Sequence, residues 1–105
     1  MDKKFKSLLG LCMKARRLSV GEHACEIALR NGDAKLVVIA EDASCGTRKK
    51  FTNKAFHYKV PVVFYGSRDE ISKAIGKENR VVIAVTDRGF AGGLLKNMEV
   101  GGCLN

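Results

Sequence analysis

The chain has one proline, no tryptophan, two histidines and only 11 acidic residues against 19 lysines and arginines. It has no run of about eighteen apolar residues, so it carries no signal for a membrane-spanning helix. The apolar positions after Lys3, Lys4 and Lys6 are interrupted by Lys14, Arg16 and Arg17. That makes a poor signal-peptide core, and a cytoplasmic location with no membrane partner is expected. His23 and His57 have no partner at ligand spacing, and Cys12, Cys25, Cys45 and Cys103 form no C-x-x-C pair. Neither a metal site nor a disulfide framework is expected, and nothing calls for a cofactor. Also missing are a Walker loop, a G-x-G-x-x-G fingerprint, a nucleophile elbow and an H-E-x-x-H helix, which removes the familiar small-enzyme signatures.

The shortage of acid leaves a net charge of +8 on 105 residues. An excess of that size points to an anionic partner, with nucleic acid first among them. The 46% hydrophobic content is that of a folded chain, and the length allows one core. The expectation is a single domain over residues 1–99 with a flexible tail over 100–105, where glycines replace any periodic pattern. A monomer is expected.

Helix and strand signals alternate. Phe5, Leu8, Leu9, Cys12 and Met13 recur at helical spacing from about residue 3 to 15. Leu18 to Val20 reads as a very short strand. A second helix over about 22–31 puts Ala24, Cys25, Ala28 and Leu29 on one face and stops at Asn31-Gly32. Leu36 to Ala40, apolar without alternation, reads as a strand covered on both faces. Ser44 caps a third helix with Phe51, Ala55 and Tyr58 inward, which must end before Pro61. Val62 to Tyr65 is the next strand. Ser67-Arg-Asp-Glu70 is a capping box opening a helix with Ile71, Ala74 and Ile75 inward and Gly76 at its end. Val81 to Val85 is a last buried strand, and Thr86-Asp87 opens a helix carrying Phe90, Leu94 and Met98 inward. No Asn-Gly or Asp-Gly hairpin joins two strands. The pattern predicts an α/β fold: a three-layer α/β/α sandwich with a mixed sheet of about four strands.

Gly21 to Gly32 followed by Ala34-Lys-Leu-Val37, Glu41-Asp-Ala43, Tyr58-Lys-Val-Pro61 and Val81-Val-Ile-Ala-Val-Thr-Asp-Arg-Gly89 resembles the ribosomal protein L7Ae/L30e family, most closely its bacterial YlxQ-type members. The resemblance spans about residues 5–97. It implies a non-enzymatic, ribosomal-protein-like RNA-binding domain that recognises kink-turns, sharply bent RNA with a bulge beside sheared G·A pairs. Structured RNA, including ribosomal RNA, and the ribosome itself are the implied partners. In the family the RNA lies against the N-terminus of the second helix, at a Gly-x-Asn-Glu-x-x-Lys signature. The glycine of that signature falls on Gly21, while His23, Ala24 and Ile27 stand at the Asn, Glu and Lys positions. Glu22, two residues before that Glu position, is a carboxylate able to accept in place of the missing Glu. A loop after the last strand is implied to close over unstacked bases.

The candidate RNA-binding residues are therefore Arg17, Ser19, Gly21, Glu22, His23 and Lys35 together with Ala84, Val85, Thr86, Asp87 and Arg88. Lys14 and Arg16 add to the positive field, and both loops are expected at one end of the sandwich. Two other readings compete. One is a ribosome-associated assembly protein acting through protein contacts. The other is a small α/β enzyme on a phosphorylated substrate, for which Cys45 is the only candidate nucleophile.

Overall fold

The computed structural model describes residues 3–97 and, for the backbone, 103–104. The elements follow the alternation read from the sequence: α1 (Lys3–Lys14), β1 (Leu18–Val20), α2 (Glu22–Arg30), β2 (Leu36–Ile39), α3 (Cys45–His57), β3 (Val62–Phe64), α4 (Arg68–Ile75), β4 (Val82–Val85), α5 (Arg88–Lys96) and β5 (Cys103–Leu104). The sheet order is β1-β4-β2-β3-β5. Four strands make the body, and the two-residue β5 pairs antiparallel with β3 at the edge. The rest of the expected flexible tail, like Met98, lies outside the described residues.

β2 and β4 sit in the middle because they are apolar on both faces. Every residue of Leu36–Ile39 and Val82–Val85 is buried, which requires a layer of helix on each side. One layer is α1 packed on α4 and α5; the other is α2 packed on α3. Phe5 of α1 is fully buried, with its ring edge-on to Tyr65 at 4.6 Å. Of the predicted inward stripes, Phe51, Ala55, Ile71, Ile75 and Leu94 are buried, while Ala74 and Phe90 are half-buried. Tyr58 is a correction. It caps α3 rather than continuing it, and the turn carries its ring outward to 40% exposure.

Strand direction decides what shares an end of the molecule. β2 and β3 are parallel, and β4 runs antiparallel to both β1 and β2. The loops after β1, β2 and β3 therefore emerge at one rim, and the loop after β4 emerges at the other. The helices are stopped by a common device. At the ends of α1, α2, α3 and α4 the chain enters the left-handed region at Arg16, Gly32, Lys59 and Gly76. The next residue's N–H bonds five residues back, as in Arg17 to the Cys12 carbonyl at 3.0 Å and Val60 to Ala55 at 2.8 Å. Glycine is the usual residue there; α1 and α3 use basic residues instead.

Replacing Phe5 by alanine removes a fully buried ring, and chemical denaturation should show a loss of about 3–5 kcal/mol. Cys12 and Cys25 are buried and Cys45 is exposed. Burial first, with Asp87 second, pushes the Cys12 thiol up to about 11. Burial, then Glu22 and Glu26, pushes Cys25 up to about 12. A thiol reagent at neutral pH should thus modify Cys45 in the native protein and reach Cys12 and Cys25 only on unfolding.

Candidate nucleic-acid interface

The rim where β1, β2 and β3 end gathers the N-termini of α2, α3 and α4. Three of the helix starts are closed by side chains. Ser44 accepts from the Thr47 N–H at 3.2 Å, Ser67 and Glu70 form the reciprocal capping box, and at the other rim Asp87 accepts from the Phe90 N–H at 2.9 Å. α2 differs. Its cap, Gly21, has φ 90° and ψ 166° and offers no side chain. The first intrahelical bond runs from the Cys25 N–H to the Gly21 carbonyl at 3.0 Å. The N–H groups of Glu22, His23 and Ala24 therefore open the helix with no capping side chain in front of them. A Cβ built on Gly21 would meet nothing within 4 Å, so the turn is open to solvent and its backbone is approachable.

Side chains set the charge of this turn. Glu22 and His23 are exposed, and Ala24 is half-buried. Lys50 of α3 reaches across to Glu26 at 2.5 Å and to Glu22 at 4.0 Å. The hydrogen bond from Lys50 holds the Glu26 carboxyl below its ordinary range, and Glu26 raises Lys50 in return. In so exposed a pair the effect is mainly to neutralise acid beside the helix start. Asp42 is likewise engaged, accepting from the Arg68 N–H at 2.8 Å. Its neighbour Glu41 is exposed. Ile27, at the position of the family lysine, is 39% exposed on the outer ridge of α2 between His23 and Arg30.

The structure brings Ser19, Gly21, Glu22 and His23 together and separates them from Thr86, Asp87 and Arg88. The Gly21 N–H bonds to the Val82 carbonyl at 3.0 Å, at the beginning of β4, whereas the Thr86 N–H bonds to Arg17 and the Lys35 N–H to Val85 at its other end. The length of a four-residue strand, about 13 Å, lies between them. The expectation that the loop after the last strand closes over the α2 turn is therefore corrected. Ala84 and Val85 are fully buried inside the sheet and cannot offer a surface to a base. Arg17, Lys35, Thr86, Asp87 and Arg88 belong to the opposite rim.

The loop that does flank Gly21 is the one before β4, residues 76–81, which sequence reasoning missed. It leaves α4 at Gly76, passes through Asn79 at φ 51° and reaches Arg80, which is exposed. Ser72, the buried polar residue of α4, ties it down: the Arg80 N–H donates to Ser72 Oγ at 3.0 Å, and the Ser72 hydroxyl donates back to the Arg80 carbonyl at 3.3 Å. Lys77 and Arg80 are exposed on this loop, together with Glu78. A signal existed in the serine placed inward among Ile71, Ala74 and Ile75, but its meaning depends on knowing that β4 is reversed.

Cys45, the first residue of α3, is exposed, and no group of three or more potential metal ligands occurs among the described residues. No described helix is long and apolar enough to cross a membrane.

Residues 3–94 match the model of the ribosomal protein L7Ae/L30e/S12e/Gadd45 family. The RNA-binding protein YlxQ of Bacillus subtilis is 48% identical over 92 residues, 88% of this chain and 92% of its own. A solved Bacillus halodurans protein of unknown function is 43% identical, with a TM-score of 0.85 over 89% of this chain and 94% of that one. The Giardia lamblia 15.5kD RNA binding protein shares the fold at 18% identity, with a TM-score of 0.73 over 89% and 80% of the two chains. With the family model covering nearly all of the described residues and a relative of this identity over most of its length, the chain belongs to the ribosomal protein L7Ae/L30e/S12e/Gadd45 family.

Proposed function

We propose that this chain is a non-enzymatic RNA-binding protein that recognises kink-turn or similarly bent RNA at the α2 N-terminus, with the loop over 76–81 as its second wall. The observation that carries the reading is the uncapped start of α2. Three N–H groups at the positive end of a helix dipole, behind a glycine that leaves the backbone open, form a seat for phosphate. A relative at 48% identity, named as an RNA-binding protein, supplies the class of anion.

Two walls suit a bent RNA better than a straight one. A straight duplex offers phosphates along one line and meets the α2 turn or the loop before β4; a sharp bend folds two backbone segments toward each other and meets both. Lys77 and Arg80 on one side and Lys50 on the other supply attraction, while the backbone turn between them fixes position. His23, exposed on the first turn, carries a donor and an acceptor for a base edge. Ala24 removes the family's carboxylate from this position, and Glu22 is drawn toward Lys50 instead. Base readout then rests on fewer side chains than the family signature provides, and phosphate geometry carries a larger share. Cytoplasmic ribosomal RNA is the natural pool of such elements.

Titration against a kink-turn and a straight duplex of matched length should show at least about tenfold preference for the bent RNA, roughly one well-made charged contact. Equal affinity at physiological salt would remove the assignment. Gly21→Val forces a branched side chain into the left-handed region over the seat, and Arg80→Glu reverses charge on the second wall. Each should weaken bent-RNA binding by about tenfold or more while circular dichroism stays native. With about 4 to 6 phosphates engaged, log affinity should fall with log salt at a slope of about −3 to −5.

A further inference from the structure

The rim opposite the α2 turn carries its own constellation, which the proposed function does not use. A groove of about 480 Å³ runs between the end of α2, the α3–β3 turn and the start of α5, with Arg30, Lys35, Lys59, Arg88 and Tyr58 in its walls. It shares Lys59, Val60 and Pro61 with a second depression of about 470 Å³ walled by Phe56, so the two form one strip. Phe56 is 79% exposed and Tyr58 is 40% exposed. Among the described residues no carboxylate lines either depression. Two carboxylates flank the lining residues in sequence: Asp87 is turned to cap the Phe90 N–H, while Asp33, between Gly32 and Ala34, is exposed.

Part of this charge has a plain origin. The C-termini of α1, α2 and α3 all point to this rim, and cations there complement helix dipoles; the Lys35 ammonium, 3.2 Å from the Gly32 carbonyl, does so directly. Dipoles do not account for Phe56 or Tyr58. Lys59 sits at φ 59° in a turn whose usual occupant is glycine, at a cost in backbone strain. Beside it Phe56 and Tyr58 are exposed, with the Tyr58 ring edge-on to His57 at 4.8 Å, and together they make an apolar patch of the kind that marks a contact surface. Flat apolar rings alternating with cations along an open groove match a strand whose bases are unpaired and whose backbone is anionic.

We propose that this strip is a second nucleic-acid site, one that takes single-stranded RNA. Bases stack on Phe56 and Tyr58, and phosphates run past Lys59, Arg88, Lys35 and Arg30. The site stands on its own residues and not on the α2 assignment. The exposed ridge His23, Ile27, Arg30 joins the two rims over the nine residues of α2, about 13 Å, so one RNA with a structured part and a loose end can occupy both.

The test is fluorescence anisotropy with a labelled oligouridylate of about ten nucleotides, with melting followed in parallel. The wild-type chain should bind it, and the double substitution Phe56→Ala with Tyr58→Ala should weaken binding by about tenfold. Arg88→Glu should weaken it without altering the fold. Lys59→Gly is the decisive variant: it should raise the melting temperature by relieving the left-handed turn and still lower affinity for the oligonucleotide. Saturating the protein with a bent duplex lacking single-stranded ends should leave oligouridylate binding in place. Absence of oligonucleotide binding at low salt, unchanged affinity in the aromatic and Lys59→Gly variants, or displacement by the bent duplex would each overturn the proposal. Loss of the bent-RNA preference with oligonucleotide binding intact would instead remove the α2 reading alone.

Discussion

The reversed direction of β4 governs the arrangement of every functional feature of this molecule. Its four residues are wholly buried and lie between β1 and β2, so each of its backbone groups must find a partner in a neighbouring strand or remain unpaired out of water. The register Leu18↔Val85 and Val20↔Ile83 on one side, with Leu36↔Val85 and Ile39↔Val82 on the other, meets that demand. Because β4 is held from both sides, it cannot slip without unpairing two strands at once. The same register fixes Gly21 against the start of β4 and Arg17 against its end.

From this follows an asymmetry of charge. One rim collects the positive ends of α2, α3 and α4, and the structure fills it with compensated acid: Asp42 on the start of α4, Glu70 in its capping box, and Glu22 and Glu26 against Lys50. Glu41 and Glu78 are also exposed at this rim, and between the acids the backbone at the start of α2 is left open. The other rim collects the negative ends of α1, α2 and α3 and is populated by Arg16, Arg17, Arg30, Lys35 and Lys59. Dipole complementarity explains why the basic residues of this chain are not spread evenly. What that requirement leaves unexplained is the pair of exposed rings, Phe56 and Tyr58, beside Lys59.

Element types and most boundaries were legible because they are written in local chemistry. Ser67 and Glu70 cap one another, Asn31-Gly32 ends a helix, and a five-residue apolar run is too short for anything but a buried strand. Direction was not legible. A strand apolar on both faces looks the same read either way, and an intervening helix invites the assumption of a parallel crossover. α4, with eight residues, is instead a short excursion between antiparallel β3 and β4, returning to the rim it left through the Ser72 and Arg80 hydrogen bonds. That one reversal split the candidate site, sending Arg17, Lys35 and Arg88 to the far end and bringing Arg80 to the near one. Tyr58 misled for a related reason, since helical spacing from Ala55 holds only while the helix continues, and the turn at Lys59 had already begun.

If the α2 start holds RNA as proposed, the separation of backbone from side-chain recognition would let the chain keep a phosphate seat while three of the four signature positions differ. Gly21 supplies geometry: its φ of 90° aims the following N–H groups outward whichever side chains they carry. A phosphate held there responds to dipole and hydrogen-bond direction and is indifferent to His23, Ala24 or Ile27. Base identity is another matter, because only side chains reach base edges, and an alanine offers them nothing. On the proposed reading, substitution at those three positions would alter which bent RNA is preferred more than whether one is held. Loss of the glycine acts in reverse order, displacing the seat itself and leaving any base contacts without a frame.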